Sequence, residues 1–274
     1  MGYKIKSIEA LAEQVVIHKK ESLYTTKISK FHVNTNQGII EVDSLNMNPV
    51  KGKYEFANSL GKQKTRIVLQ IPKIAVTGFD YELVKDSIFS ASFVDISSAN
   101  LSVFRDKRLP FKNPIVPLPM RMLKDISFGI KMDSIVIRDS KIVHEEIAEE
   151  GSEIGKINFT NMNASISNFN NRVFDDRPNI ALISASSKFM NSGFIDATFE
   201  LPLQEDKNYK ARGKIMHLDL REINTIIEPV AFLRVESGTM NRLNFNFQYN
   251  EYKSNGALDI NYENLKMTSL TRNK

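Results

Sequence analysis

The residue types in this sequence that could support acid–base or metal chemistry are scattered. Its four histidines are His18, His32, His144 and His217. No two of them have the spacing of paired metal ligands. The segment His144-Glu145-Glu146 resembles an acid–base cluster but lacks the second histidine of the zinc-protease pattern, so we interpret it as a solvated strand end. The adjacent carboxylates Asp175-Asp176 lie in a predicted loop beside arginines, and we interpret them as surface charge.

No other pattern in the sequence supplies a catalytic group. There is no glycine-rich phosphate loop, no nucleophile elbow and no series of calcium ligands. The chain has no cysteine, which excludes disulfides, thiol nucleophiles and cysteine metal sites. We therefore expect a protein that is not an enzyme, holds no metal or cofactor, and functions through a surface.

The composition is that of a folded domain with a mixed-charge surface. The 274 residues are 42% hydrophobic and 25% charged, which is enough to bury a core. The 37 lysines and arginines are interspersed with 32 acidic residues, so we expect no nucleic-acid partner. No run of about 18 apolar residues is present to form a membrane-spanning helix within this chain. The first residues lack the apolar segment of a signal peptide, and we expect the chain to be part of a longer protein.

The elements that must position any functional surface are strands. Residues 243–250 alternate apolar and polar types without a break, which gives a strand one apolar and one polar face. Similar segments are joined by short turns, as expected for antiparallel neighbours. We predict a mainly β fold: a large, strongly curved antiparallel meander sheet, forming an open groove or half-barrel, with a few short helices. Helical turns are expected at 80–86 and 219–227, and a strand at 53–56.

The sequence fits two domain arrangements. In one, residues 1–274 form a single elongated β domain. In the other, two strand-rich halves, 1–109 and 120–274, are joined by a stiff connection at 110–119. That connection holds four prolines, each of which fixes one backbone dihedral angle.

Two Asp-Ser pairs interrupt the alternation in the same way. Apolar residues occupy even positions before Asp43-Ser44 and odd positions after it, and the same change occurs at Asp133-Ser134. Such a change turns later side chains to the wrong face unless the strand absorbs it. A β-bulge or a tight corner at each pair would restore the apolar face. Chance similarity between two strand pairs, or an internal duplication, would give the same pattern.

The order of strand and turn motifs over roughly residues 65–268 resembles that of a known family. The motifs are IPKIAVTGFD (71–80), ANLSVFRDKR (99–108), MDSIVIRDSKI (132–142), GKINFTNMNA (155–164), VESGTMNRL (235–243) and GALDINYENLK (256–266). This order is similar to that of the AsmA-like family of Gram-negative envelope proteins. These motifs are strand and turn patterns, not catalytic signatures.

The resemblance implies a location and a lipid partner. AsmA-like proteins are held in the inner membrane by an N-terminal helix and project into the periplasm, so it implies a periplasmic domain whose anchor lies outside this chain. The family is related to bridge-like lipid-transfer proteins, whose curved sheets form a groove for acyl chains. The resemblance therefore implies phospholipid traffic towards the outer membrane, with envelope proteins as further partners.

One face of the predicted sheet is the candidate lipid groove. Its candidate residues are Phe128, Ile130, Ile135, Ile137, Leu243, Phe245, Phe247, Leu258 and Ile260. Each acyl methylene shielded there would gain about 0.8 kcal/mol. A closed sandwich or barrel, with this face as ordinary core, fits the same alternation. A non-catalytic envelope scaffold that binds partners through its sheet edges is the alternative function.

Overall fold

Strands dominate the computed structural model, which describes residues 7–18, 20–112 and 117–271. Strands make up 61% of the structure and helices 11%. The strands are β1 (Glu9–Ile17), β2 (Tyr24–Asn34), β3 (Ile39–Pro49), β4 (Arg66–Ile71), β5 (Lys73–Thr77), β6 (Ile88–Ser97), β7 (Asn100–Asp106), β8 (Gly129–Ile147), β9 (Ile154–Asn170), β10 (Ile180–Phe189), β11 (Gly193–Pro202), β12 (Tyr209–Asp219), β13 (Leu233–Tyr249) and β14 (Ser254–Ser269). The helices are α1 (Lys53–Asn58), α2 (Pro119–Lys124) and α3 (Asn224–Ala231), with 3₁₀ turns at Glu82–Asp86 and Leu220–Ile223.

All fourteen strands of the described residues belong to one sheet, which does not close into a barrel. The order is β1-β2-β3-β4-β7-β8-β9-β10-β11-β12-β13-β14. β5 lies in line with β4, and β6 lies in line with β7, so the sheet is twelve strands wide. The predicted fold class, a large and mainly β open sheet with a few short helices, is confirmed.

One connection makes the sheet mixed instead of wholly antiparallel. β6 and β7 both pair with β8 in parallel, whereas every other neighbouring pair of described strands is antiparallel. Parallel neighbours need a long crossover, and residues 107–128, which include α2, provide it. The predicted stiff connection at 110–119 lies within this crossover, although its residues 113–116 lie outside the described residues. The strands before and after it share one sheet.

The strand predicted at 53–56 is wrong, because these residues begin α1. A four-residue alternation fits a helix as well as a strand, so tertiary packing decides between them. Phe56 is 1% exposed, and its ring centroid lies 5.5 Å from that of Tyr24. The helical turns predicted at 80–86 and 219–227 are present as the two 3₁₀ turns and α3.

A residue in the left-handed backbone conformation lies opposite each Asp-Ser pair. Lys30 (φ 48°) faces Asp43 across β2 and β3, and Asn168 (φ 55°) faces Asp133 across β8 and β9. The strand register is the same on both sides of each pair, so a corner, not an inserted residue, absorbs the change. Apolar residues from both sides of Asp133 pack in the same hydrophobic cluster, which shows that the apolar face is kept.

The corner at Lys30 is one end of a crease that crosses much of the sheet. The crease continues through residues that are register partners or near neighbours on adjacent strands or at the junctions between them. They are Asp43, Pro72, Ser98, Asp139 and Asn161. Ser98, Asp139 and Asn161 also have positive φ. Left-handed residues and bulges bend strands. The crease therefore lets the apolar side chains on both of its sides share one face.

Three hydrophobic clusters lie on this apolar face. The first includes the buried residues Ile40, Val76, Ala91, Val94 and Ile135, and all its members belong to the sheet except Phe79, directly after β5. The second packs α2 against β10–β12, and the third joins β12 and β13 with the 3₁₀ turn at Leu220–Ile223 and with Ile227 of α3. Helices therefore cover two regions of the apolar face, and the first cluster is formed by the sheet itself.

Candidate functional site

A row of apolar residues crosses the sheet from β1 to β14, perpendicular to the strands. We call it the first apolar row; each residue is the register partner of the next. Its members are Ala12, Phe31, Val42, Ile74, Ile96, Ile137, Ala164, Ala185, Ala197, Gly213, Phe245 and Leu258. No polar side chain interrupts this row.

A second apolar row runs beside the first, two residues along each strand. Its members are Ala10, Val33, Ile40, Val76, Val94, Ile135, Ile166, Ile183, Phe199, Ala211, Phe247 and Gly256. Residues two apart in a strand point to the same face. The two rows together form an apolar band that is twelve strands long.

The residues that alternate with the band form a polar face on the other side of the sheet. On β11 and β12, Asp196 and Lys214 lie opposite each other with their charged atoms 3.6 Å apart. A cleft of about 830 Å³ crosses β8–β13, and it is lined by residues of the first apolar row, such as Ala164 and Ala185, together with the polar residues that alternate with them. The polar residues include Arg138, Asn163 and Ser186. This face presents polar and charged side chains to water.

Burial differs along the apolar band. Between β3 and β8, the second row is buried: Ile40, Val76, Val94 and Ile135 are each 6–9% exposed. From β9 to β13 the same row is only half-buried. At β14 the first row ends on Leu258, which is 56% exposed. The second row is therefore more exposed in β9–β13, which we call the open region, than in β3–β8. The first row shows no such difference, because Ile74, Ile96 and Ile137 are half-buried and Ala197 is buried.

Side-chain volume also changes along the band. In β9–β12 the first row narrows to Ala164, Ala185, Ala197 and Gly213, of which Ala197 is 8% exposed and the other three are half-buried. The ring of Phe245 reaches over Gly213: a Cβ there would lie 2.6 Å from its Cζ atom and 2.3 Å from a backbone oxygen. Gly213 therefore allows close approach of the neighbouring strand and of this ring.

Two helices border the open region. Met120 of α2 is 1% exposed and packs with Ala181, Leu201 and Tyr209 at one end of β10–β12. At the other end, α3 lies so close to β9 that a Cβ on Gly155 would be 2.7 Å from Ile226. The apolar band passes between these two helix contacts.

The structure brings most of the predicted groove residues into this band. Ile137, Phe245 and Leu258 are in the first row, and Ile135 and Phe247 are in the second. Leu243 and Ile260 are register partners in the adjacent row. Ile130 is buried and pairs with Phe89, and Phe128 lies just before β8 and is 45% exposed. These two lie beyond the corner at Asp133, away from the open region.

The prediction missed the contributions of β1–β6 and of the small residues. Phe31, Val42, Ile74 and Ile96 alternate as clearly as the predicted residues do, so the same pattern could have found them. The alanines of β9–β11 carry no such pattern by themselves. They become a continuous segment only when the register aligns three strands, and one sequence does not give the register.

The titratable residues that suggested chemistry are held in ion pairs away from the band. Glu146 lies 2.8 Å from Lys107 and 3.2 Å from His144. Burial raises the pKa of Glu146, but hydrogen bonds from Lys107 and His144 outweigh it and lower the pKa overall. Asp176 lies 2.7 Å from Lys131, whose hydrogen bond lowers the pKa of that carboxyl. These arrangements are those of structural ion pairs.

Neither a metal centre nor a bilayer-crossing helix is found in the described part of the chain. Residues 7–18, 20–112 and 117–271 contain no group of three acidic, histidine or cysteine residues placed to hold a metal ion. No helix within these ranges has the length and apolar character to cross a bilayer. No protein-family model matches this chain, and no curated protein matches it either.

Proposed function

We propose that this protein binds the acyl chains of lipids along its apolar band and carries them within the bacterial envelope. The uninterrupted pair of apolar rows on an open sheet is the observation that supports this function. Twelve strands at ~4.8 Å spacing give the band a length of roughly 53 Å. Since a bilayer core of about 30 Å holds two leaflets, one acyl chain needs only about 15 Å of it.

The composition of the band suits movement as well as binding. Each methylene removed from water gains about 0.8 kcal/mol, wherever along the band it lies. Neither row contains a polar or charged side chain to hold a headgroup at one position. A lipid could therefore slide along the band without breaking a strong polar contact, while its headgroup stays in water.

Together with the resemblance of its motifs to AsmA-like proteins, the band leads us to propose a periplasmic domain that takes part in phospholipid transport. Its attachment to the inner membrane would come from a segment outside this chain. In this proposal the protein is not an enzyme, because the band offers no group for covalent chemistry.

Two adjacent residues allow a matched test of lipid binding. Ala185 is in the first apolar row, and Ser184 lies opposite Ser165 and Thr198 on the polar face of the same strand. Ala185→Glu places a carboxylate in the band and should lower binding of a fluorescent fatty acid at least about tenfold. Ser184→Glu should leave binding unchanged. Native mass spectrometry of gently purified protein should detect phospholipid on the wild type and on Ser184→Glu.

Equal binding by both variants, or wild-type protein that never carries lipid, would exclude the band as a lipid site. The unfolding transition of each variant, followed by circular dichroism, shows whether a loss of binding comes from unfolding.

A second candidate function, a scaffold that binds partners through a sheet edge, is supported by β14. All sixteen residues of this strand are exposed. An exposed edge strand offers unpaired backbone groups to another strand. A scaffold would lose its partners when β14 is disrupted while its binding of fatty acid stayed the same.

A further inference from the structure

The cleft of about 830 Å³ across β8–β13 opens on the polar face of the sheet. A cleft on the apolar face would have the second apolar row as a wall, but Ile135, Ile183 and Phe199 of that row do not line it. The residues on either side of the first row do line it, and their side chains point to the polar face. A smaller cleft, lined only by residues of the polar face, shares Thr198 and Arg212 with it.

The floor of this cleft contains free hydroxyl groups. Ser165 and Ser184 are register partners on β9 and β10, and Ser186 lies two residues further along β10. All three are exposed, and their hydroxyls have no hydrogen-bond partner within residues 7–18, 20–112 and 117–271. A serine hydroxyl can donate one hydrogen bond and accept two. The floor is therefore ready to bond a ligand that is rich in hydroxyl groups.

Positive charge exceeds negative charge in the lining of the cleft. Its cations are Arg138, Arg212 and Lys214, and its carboxylate is Asp196. Arg138 donates two hydrogen bonds of 3.0 and 2.9 Å to Asp95, and Lys214 lies 3.6 Å from Asp196. Arg212 has no carboxylate within 4.0 Å in the part of the chain that the structure describes. One guanidinium in the cleft is therefore left to pair with an anion.

A hydrogen bond orients the guanidinium of Arg212. Its Nε donates to Oγ1 of Thr198 at 3.0 Å. Thr198 is the register partner of Arg212 on one side and of Ser184 on the other, so the guanidinium lies beside the row of hydroxyls. Its two Nη atoms have no acceptor among the described residues. A free guanidinium edge of this kind binds a carboxylate or phosphate through two parallel hydrogen bonds.

We propose that this cleft binds an acidic oligosaccharide. Arg212 pairs with a carboxylate or phosphate of the ligand, and the serine hydroxyls bond to its sugar hydroxyls, which also donate and accept. Five strand spacings of ~4.8 Å make the cleft roughly 24 Å long, which suits an extended chain better than a single small ion. The proposal does not depend on lipid binding, since the cleft and the apolar band lie on opposite faces of the sheet.

The lining of the cleft favours a saccharide over other acidic polymers. Single-stranded nucleic acids stack their bases on aromatic side chains. The aromatic residue in the lining is Phe245, but its ring lies on the apolar face, over Gly213. Peptides commonly add to a free strand edge or enter an apolar groove. This cleft instead crosses strands that are already paired, and its side chains are mainly polar.

Isothermal titration calorimetry with tetragalacturonate tests the proposal. Maltotetraose, a neutral chain of the same length, should bind at least about tenfold more weakly, because it offers nothing to Arg212. Arg212→Gln should weaken tetragalacturonate binding about tenfold, and Arg212→Lys should also weaken it, because lysine lacks the planar fork. Arg242→Gln is the matched control. Arg242 lies 3.8 Å from Asp259, outside the lining, so this variant should bind as the wild type does.

The variants that test lipid binding separate the two faces. Ser184→Glu places a carboxylate beside Arg212 and should remove tetragalacturonate binding while fatty-acid binding stays the same. Ala185→Glu should have the opposite effects. A wild type that does not bind tetragalacturonate, or that binds maltotetraose or tetra-aspartate equally well, overturns the proposal. Unchanged binding by Arg212→Gln also overturns it. Circular dichroism shows whether each variant is folded.

Discussion

The apolar band differs between its two sides, β3–β8 and β9–β13. Both have the same alternation and the same unbroken register. In β3–β8 the rows contain Val42, Ile74, Ile96 and other branched side chains, and much of the second row is buried. In β9–β13 the first row contains three alanines and Gly213, and its neighbours remain half-buried.

This difference shows that alternation alone does not make a binding surface. Branched side chains on neighbouring strands shield one another and become core, although no second layer covers their cluster. Where the first row consists of small side chains, the second row beside it stays half-buried. We therefore interpret β3–β8 as the part that stabilises the sheet, and we propose that the lipid binds at β9–β13.

The largest expected effect comes from truncating a buried member of the second row. Ile135→Ala should lower the free energy of unfolding by about 2–4 kcal/mol, because it removes buried methyl groups and leaves a cavity. Ile183→Ala, in the same row but half-buried, should cost about 1 kcal/mol. Urea unfolding measures both. Equal losses of unfolding free energy would mean that β3–β8 and β9–β13 are packed alike.

Replacing an alanine with a larger side chain tests whether there is free space at each side of the band. Ala91 is 2% exposed in the first cluster, so Ala91→Leu should destabilise the fold by about 1–3 kcal/mol through overpacking. Ala185→Leu should change stability by less than about 1 kcal/mol, since the first row has room there. It should still weaken fatty-acid binding by occupying the open region. A large loss of stability in Ala185→Leu would show that this region is filled core.

The smallest expected effect lies on the polar face of the packed side. His32 lies 3.3 Å from Glu41 and 3.2 Å from Glu9, on the two neighbouring strands. Hydrogen bonds from His32 to Glu41 and Glu9 raise the pKa of the imidazole above its ordinary value. The resulting stabilisation is complete below the unfolded pKa of about 6.5 and is lost as the pH rises through the folded pKa.

The melting temperature of wild type should therefore exceed that of His32→Gln by a small margin at about pH 5.5, and this margin should shrink by about pH 8. The margin is small because exposed ion pairs contribute little. A margin that grows with pH would contradict the assigned contacts.

The strands and the face that each side chain occupies were predictable because they depend on local alternation. The segment 243–250 and the change at Asp133-Ser134 are examples, and apolar residues from both sides of Asp133 pack in one cluster. The helix at Lys53–Asn58 was not predictable, because the burial of Phe56 against Tyr24 decides it. The parallel pairing of β8 was not predictable either, since it depends on where a long crossover returns.

The sequence by itself determined a mainly β chain with one apolar and one polar face. Period-two alternation is a local property, and hydrophobic burial acts on it directly. Only the tertiary structure decided which residues meet across the strands. Register places Ala164, Ala185, Ala197 and Gly213 in one line, and a shift of one residue would scatter them between the two faces.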